Sequence, residues 1–200
     1  PGATLNHLLE RELPQLQGLV RAFRARSRVP SVSVGVVFGD DLAWSFSVGQ
    51  ADLALGRPAD ADTLYRIASI TKTFVATAIV QLRDEGRLSL EDPLVRHLPE
   101  FAAAQNPFGP IEQVTLRRLL THTAGLYRDP PLPDTAPIHW TPPTMDEVLG
   151  SLGQVRLSVP PGSRWKYSNL GAELLDEVVH RVIGESFGEY LRSNVTGPLG

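Results

Sequence analysis

The chain has 200 residues, and its 19 Lys and Arg against 22 Asp and Glu give a formal net charge of −3. With 42% hydrophobic residues it can bury the core of one or two domains. No basic cluster points to a nucleic-acid partner, and no apolar run reaches the roughly 18 residues that a membrane-spanning helix needs. The absence of cysteine excludes disulfides, thiolate metal sites and a cysteine nucleophile.

The N-terminal residues and the histidines allow two expectations, one about cellular location and one about cofactors. The first residues show no basic segment followed by an apolar one, so we expect no signal peptide in this chain, and a cytoplasmic location is slightly favoured. The five histidines lack the paired spacing of a metal site. We therefore expect no metal and no cofactor.

Two kinds of periodicity alternate along the first 68 residues. Leucines at helical spacing predict an N-terminal helix that Pro14 divides into two short helices. Apolar residues at every second position over 32–38 and 42–48, separated by a Gly-Asp-Asp turn, predict a β-hairpin with one apolar face. Residues 64–68 are a candidate third strand.

The rest of the chain has mainly helical patterns. From Ser69 an apolar stripe with a period of 3.6 predicts a helix that ends near Gly86. The proline-rich stretch 126–143 predicts a long ordered loop, and two helices are predicted at about 170–183 and 187–194. Helix N-caps are predicted at Ser89, Thr115 and Thr144.

Ser69 and Lys72 form a Ser-x-x-Lys pair at the predicted start of this helix. At this spacing the two side chains share one helical face, and the helix N-terminus favours an oxyanion there. Only two of the 19 basic residues are lysines, and a lysine, unlike an arginine, can lose its proton and serve as the base for a serine nucleophile. The alternative is structural: Ser69 would be an N-cap and Lys72 an exposed first-turn residue.

Two further serines match hydrolase patterns, and both are predicted to be structural. Ser163 and Lys166 repeat the Ser-x-x-Lys spacing, but a Pro-Pro-Gly turn precedes them and no helix holds them on one face. Ser186 lies in a Gly-x-Ser-x-Gly sequence, the nucleophile elbow of α/β-hydrolases, which needs Asp or Glu and then His after it. Neither His nor Asp follows it, and Ser186 with Glu189 instead predicts a capping box.

Tyr167-Ser168-Asn169 is the other group suited to acyl transfer. A tyrosine hydroxyl near a lysine can carry a proton, and an asparagine amide can both donate to and accept from a substrate. The alternative is a turn that Asn169 caps before a helix beginning at Leu170, and the two interpretations are compatible.

Three segments together resemble the class C-like branch of the serine β-lactamase and penicillin-binding-protein superfamily. Residues 65–73 look like its nucleophile motif, residues 118–126 (RLLTHTAGL) are similar to its LLTHTSGL segment, and residues 161–169 end in its Tyr-Ser-Asn motif. The order and spacing of the three agree, and the similarity extends from about residue 30 to residue 200.

The resemblance implies a role for each site residue. Ser69 would attack a carbonyl and form an acyl-enzyme, with its backbone N–H as half of an oxyanion hole. Lys72 and Tyr167 would share the proton transfers, either of them being the acylation base, and Asn169 would orient the substrate. The expected reaction is hydrolysis of a small-molecule ester or amide such as a β-lactam, a D-alanyl peptide or a simple ester. The alternatives are a non-catalytic scaffold of the same fold and, less favoured, an esterase that uses Ser186.

The resemblance also implies an α+β fold of the β-lactamase/transpeptidase type. Residues 1–68 would supply a helix and a hairpin of an antiparallel sheet, and residues 69–200 a mainly helical lobe. The family's third motif, Lys-Thr-Gly or His-x-Gly, is absent, so we expect the remaining strands to lie beyond this chain. We therefore expect the isolated 200 residues to be weakly active or inactive and to self-associate through an exposed hairpin edge.

Overall fold

A computed structural model of the chain describes residues 2–132 and 143–199. The chain divides into two compact units, Pro1–Arg66 and Ile67–Gly200. The first unit holds one long helix and a small sheet, and the second is mainly helical. The mixture of helices with an antiparallel sheet agrees with the α+β fold predicted from the sequence.

The N-terminal helix is continuous, so the predicted break at Pro14 is wrong. Helix α1 runs over Gly2–Ser27 with Pro14 inside it. A proline in a helix interior removes one hydrogen bond and costs about 3 kcal/mol. Pro14 lies on the exposed side of the helix, and the half-buried stripe of Leu13, Leu16 and Val20 continues past it. Packing of that stripe offsets the local loss.

The predicted hairpin is confirmed. Strand β1, Ser31–Phe38, pairs antiparallel with β2, Asp41–Asp52, so that Val34 is opposite Phe46. The valines at 32, 34 and 36 are half-buried while their neighbours at 33 and 35 are exposed, as a period of two requires. A bulge after Val36 shifts the register, and beyond it the apolar tip of the hairpin is exposed.

The third strand is not where the sequence pattern placed it. Residues 64–68 form no strand, and Leu64 is 97% exposed. The sheet is completed instead by β3, Arg57–Pro58, which pairs with β2 in the order β1-β2-β3. Two residues are too few to show an alternating pattern, and so the strand gave no sequence signal.

The core of the second unit forms around two helices. Helix α2, Thr71–Asp84, buries Val75, Ala78, Ile79 and Leu82, which confirms the predicted stripe. It contacts α6, Asn169–Ile183, whose buried face includes Leu170, Leu174, Leu175, Val178 and Val179. Gly86 follows α2 with a positive φ of 72°, a conformation that suits the predicted glycine at a helix end.

Shorter helices complete the second unit. They are α3, Leu94–His97; α4, Leu116–Leu120; α5, Met145–Gly150; α7, Phe187–Leu191; and α8, Gly197–Leu199. Thr115 and Thr144 are N-caps as predicted, the latter with a capping box to Glu147. Ser89 caps no helix, because the chain turns there through Asp92 and α3 starts only after Pro93. Of the predicted loop 126–143, residues 133–142 lie outside the described residues.

Asp176 on α6 is a buried carboxyl group that opposes folding at neutral pH. Its pKa is raised to about 6, chiefly by burial and then by the charge of Glu177, with His180 acting in the opposite direction. Its Oδ1 has no hydrogen-bond partner among the described residues. A pKa that is higher in the folded than in the unfolded state means that stability falls as pH rises from about 4 to about 6.

Asp176→Asn is therefore expected to stabilise the protein at pH 8 and to have little effect at pH 4. The gain at pH 8 is on the order of 2 kcal/mol in the free energy of unfolding, because the amide needs no ionisation. Urea unfolding at the two pH values measures it, with Asp146→Asn on the exposed face of α5 as the matched control. An equal effect of Asp176→Asn at both pH values would contradict this account of the group.

Candidate active site

Ser69 lies in a tight turn just before α2 rather than at the helix cap. A 3₁₀ turn covers Ala68–Ile70, and the cap position of α2 is Ile70, without a side-chain hydrogen bond. The alternative interpretation of Ser69 as an N-cap is therefore wrong. Ala68 has a φ of 46°, a left-handed conformation that a residue with a side chain adopts rarely and that concentrates at functional sites. The turn presents the exposed Ser69 hydroxyl to groups from other segments.

Lys72 is one helical turn further on, and its amine reaches the serine. Lys72 Nζ donates to Ser69 Oγ at 3.3 Å. Lys72 is half-buried, in contrast to the exposed first-turn lysine of the structural alternative. The spacing of three residues, from the 3₁₀ turn into the first turn of α2, thus brings the two groups together, as the sequence predicts.

The segment that carries Tyr167 is held by backbone hydrogen bonds to residues 122–125. The N–H groups of Ser158, Gly162 and Lys166 donate to the carbonyl groups of Gly125, Thr123 and His122, respectively. Gly125 has a φ of 83°, and a Cβ on it would lie 2.3 Å from the carbonyl oxygen of Val159. The glycine of the LLTHTAGL segment is therefore required by this close approach.

Ser168, not Asn169, caps the helix after the Tyr-Ser-Asn motif. Its Oγ accepts from the N–H of Gly171 at 2.9 Å and donates to the carbonyl of Tyr127 at 2.7 Å. The N–H of Asn169, the first residue of α6, donates to the carbonyl of Arg128 at 2.6 Å. Because Ser168 takes the cap, the Asn169 side chain is free to make other contacts.

Four predicted residues meet in one polar cluster. Ser69 Oγ lies 2.7 Å from Tyr167 Oη, and Lys72 Nζ donates to Asn169 Oδ1 at 2.8 Å. Lys72 Nζ also lies 5.1 Å from the centre of the Tyr167 ring. The cluster places the Ser69 hydroxyl beside two groups, the Tyr167 hydroxyl and the Lys72 amine, whose chemistry allows them to accept or donate a proton.

Charge and burial shift the pKa values of Tyr167 and His122. Hydrogen bonds from Lys72 and then from Ser69 hold the pKa of Tyr167 below its usual value, since both stabilise the phenolate. Burial, with a smaller effect of Lys72, lowers the pKa of His122. A neutral His122 fits its contact, because its Nδ1 accepts from the N–H of Ser168 at 3.3 Å. The His122 ring also packs against Tyr167, 4.6 Å between ring centres.

Asp129 is a site residue that the sequence reasoning missed. Its Oδ1 accepts from Asn169 Nδ2 at 2.6 Å. The side chain lies beside Tyr127 and Leu170 in the lining of a cleft. Asp129 lies four residues after Gly125 in the sequence, but a single acidic residue in a proline-rich stretch forms no recognisable motif.

The two other serines with hydrolase patterns have structural partners. Ser163 Oγ donates to the carbonyl of Pro160, and Lys166 Nζ donates to Ser158 instead. Ser186 caps α7 and forms a capping box with Glu189. Helix α6, not a strand, precedes it, so the α/β-hydrolase alternative is wrong.

Ser163→Ala and Ser186→Ala are each expected to leave hydrolytic activity within a few fold of wild type. Ser186→Ala should also lower the free energy of unfolding by about 1 kcal/mol, because it removes an N-cap. Steady-state assays with a chromogenic ester and thermal unfolding measure the two effects. A loss of about 10³-fold in the hydrolytic activity of Ser186→Ala would instead identify Ser186 as the nucleophile.

Within residues 2–132 and 143–199, no group of three or more His, Cys, Asp or Glu side chains is arranged to hold a metal ion. In the same residues, no helix has the length and apolarity needed to cross a membrane.

Comparisons with known proteins agree with the resemblance. The family model described as Beta-lactamase matches residues 16–200. Esterase EstB of Burkholderia gladioli is 36% identical over 195 residues, which cover 90% of this chain and 47% of EstB. The chain thus spans about half the length of this relative.

Solved structures give the same result. EstCE1, described as a hydrolase with promiscuous acyltransferase activity, has a TM-score of 0.79 and 26% identity, over 96% of this chain and 53% of EstCE1. The D-amino acid amidase of Ochrobactrum anthropi SV3 has a TM-score of 0.74 and 28% identity, over 92% of this chain and 48% of the amidase. The family match covers far more than half of the sequence, and the chain therefore belongs to the beta-lactamase family.

Proposed function

We propose that this chain carries the nucleophile and proton-transfer groups of a serine hydrolase that forms an acyl-enzyme. The observation that carries the proposal is the position of Ser69 Oγ, 2.7 Å from Tyr167 Oη and 3.3 Å from Lys72 Nζ. A serine hydroxyl is a weak nucleophile unless a base within hydrogen-bond reach removes its proton. Here two candidate bases lie within that reach.

The proposed reaction has two acyl-transfer steps. Ser69 Oγ attacks the substrate carbonyl carbon while its proton passes to the base, and the backbone N–H of Ser69 supports the oxyanion. The tetrahedral intermediate then expels the alcohol or amine, which takes up that proton. Water attacks the resulting acyl ester, with its proton passing to the same base and then to Ser69 as the acid is released.

Tyr167 is the better-supported base in this arrangement. Its oxygen is closer to Ser69 Oγ than the Lys72 amine is, and Lys72 holds the pKa of Tyr167 below its usual value. Lys72 in its ammonium form would stabilise the phenolate that accepts the proton. We therefore assign the base to Tyr167 and the electrostatic support to Lys72.

Esters are the substrate class that the comparisons favour. EstB is named as an esterase and EstCE1 as a hydrolase with acyltransferase activity. The similarity to a D-amino acid amidase supports amides as the second candidate class. An intact nucleophile with a neighbouring base argues against the non-catalytic scaffold.

The proposal is tested with the purified protein. A fluorophosphonate probe should label it, and peptide mass spectrometry should locate the label on Ser69. Rates with a nitrophenyl ester, a D-amino acid amide and a chromogenic β-lactam then rank the substrate classes, and we expect the ester to be fastest. Failure to label and to hydrolyse any of the three would favour the scaffold alternative.

Self-association remains a prediction. One edge of strand β1 pairs with β2. Among the described residues of the first unit, no strand pairs with the other edge of β1. An unpaired edge offers backbone groups to another chain. Light scattering of the isolated 200 residues is expected to give a mass above 21.8 kDa, and a monomer at micromolar concentration would contradict the prediction.

A further inference from the structure

The side-chain amide of Asn169 is held by two charged groups of opposite sign. Its Oδ1 accepts from Lys72 Nζ at 2.8 Å, and its Nδ2 donates to Asp129 Oδ1 at 2.6 Å. An ammonium group can only donate hydrogen bonds, and an ionised carboxylate can only accept them. Both contacts are of the charge-assisted kind, which are shorter and stronger than neutral ones.

Only one of the two amide orientations satisfies both neighbours. A flipped amide would place its NH₂ group against the Lys72 ammonium and its oxygen against the Asp129 carboxylate. Both hydrogen bonds would then be replaced by repulsive contacts. Removing Asp129 would leave the orientation to depend on Lys72 alone.

Backbone hydrogen bonds hold Asp129 at a position from which its carboxylate can orient the Asn169 amide. The carbonyl of the preceding residue, Arg128, accepts from the N–H groups of both Asn169 and Leu170 in the first turn of α6. Residue 129 is thereby tied to the same helix start as Asn169. A carboxylate at this end of a helix is also favoured by the helix dipole.

We propose that Asp129 is a positioning residue for the acyl-transfer site, one that fixes the orientation of the Asn169 amide. The inference rests on the proposed hydrolase function. Asp129 occupies one of the two Nδ2 hydrogens, so that one N–H remains for a substrate oxygen. It also keeps Asn169 Oδ1 on the Lys72 amine, which holds that amine beside Ser69 and Tyr167.

Variants at position 129 separate positioning from a merely structural role. Asp129→Ala is expected to lower kcat/KM by about 100-fold and Asp129→Asn by about tenfold, because the asparagine oxygen still accepts a hydrogen bond but lacks the charge. Asp146→Asn, an exposed carboxylate on α5, is the matched control and should change neither constant. The Tyr167 hydroxyl faces Lys72 and Arg128, whose positive charges lower its pKa. Removing the negative charge of Asp129 should lower this pKa further and so move the acid limb of the kcat/KM profile to lower pH.

A second readout does not depend on activity. In ¹⁵N-edited NMR spectra, one side-chain amide proton of Asn169 should be shifted strongly downfield by the short bond to the carboxylate. The shift should disappear in Asp129→Ala and persist in Asp146→Asn, with Asn169→Asp serving to assign the signal.

The outcomes distinguish this inference from the function on which it rests. If the wild-type protein shows the shifted amide proton but hydrolyses nothing, the proposed function fails while the Asp129–Asn169 contact stands. If the protein is active and Asp129→Ala retains wild-type kcat/KM, pH profile and amide signal, Asp129 is not a positioning residue.

Discussion

Ser69→Ala is expected to abolish labelling by a fluorophosphonate and to lower kcat/KM for an ester by roughly 10⁵-fold or more. The reason is chemical, because alanine removes the oxygen atom that we propose forms the acyl-enzyme. Ser69 is exposed and caps no helix, so the free energy of unfolding should change by less than about 1 kcal/mol.

Circular dichroism and thermal unfolding of the Ser69→Ala protein supply the structural control. Ser163→Ala, which removes another exposed hydroxyl from the same unit, is the matched variant and should label normally. Ester turnover at the wild-type rate by a folded Ser69→Ala protein would remove Ser69 from the mechanism.

Tyr167→Phe is expected to lower kcat by about 10²- to 10⁴-fold with a smaller change in KM. The substitution keeps the ring that packs on His122 but removes the oxygen 2.7 Å from Ser69 Oγ. As a base Tyr167 must be deprotonated, so wild-type activity should fall as pH drops through its lowered pKa. The acid limb of the pH profile should therefore be lost or displaced in Tyr167→Phe.

Tyr190→Phe is the matched control for this prediction. Tyr190 also places its hydroxyl in a hydrogen bond, to Gln81 at 3.3 Å on the opposite end of α2 from Ser69. Loss of the Tyr190 hydroxyl should lower the free energy of unfolding without changing kcat or KM. If Tyr167→Phe instead retained most of its kcat and an unchanged pH profile, the base would be Lys72.

How much of the fold the sequence reveals depends on the length of each pattern. The stripe from Val75 to Leu82 covers two helical turns, and the hairpin alternates over residues 32–38 and 42–48, so both could be predicted from periodicity. Pro14 misled the prediction because a local penalty was weighed without the packing of the stripe on either side of it. Strand β3 has two residues and no pattern of its own.

The residues of the candidate site also differ in whether the sequence reveals them. Ser69 and Lys72 could be paired from their spacing of three residues, and Tyr167 and Asn169 from a resemblance that covers most of the chain. Asp129 could not, because its importance depends on the direction in which the Asn169 amide points. That direction is set by three segments that are distant in the sequence and meet only in the folded unit.

The backbone hydrogen bonds to residues 122–125 determine which substitutions are tolerated in the segment that leads to Tyr167. The segment leading to Tyr167 is held there through N–H and carbonyl groups, which every residue except proline provides in full. Because these contacts use backbone groups, an exposed residue of the segment such as Arg164 can be replaced without breaking them, whereas a proline at a donor position or any side chain at Gly125 would displace the tyrosine.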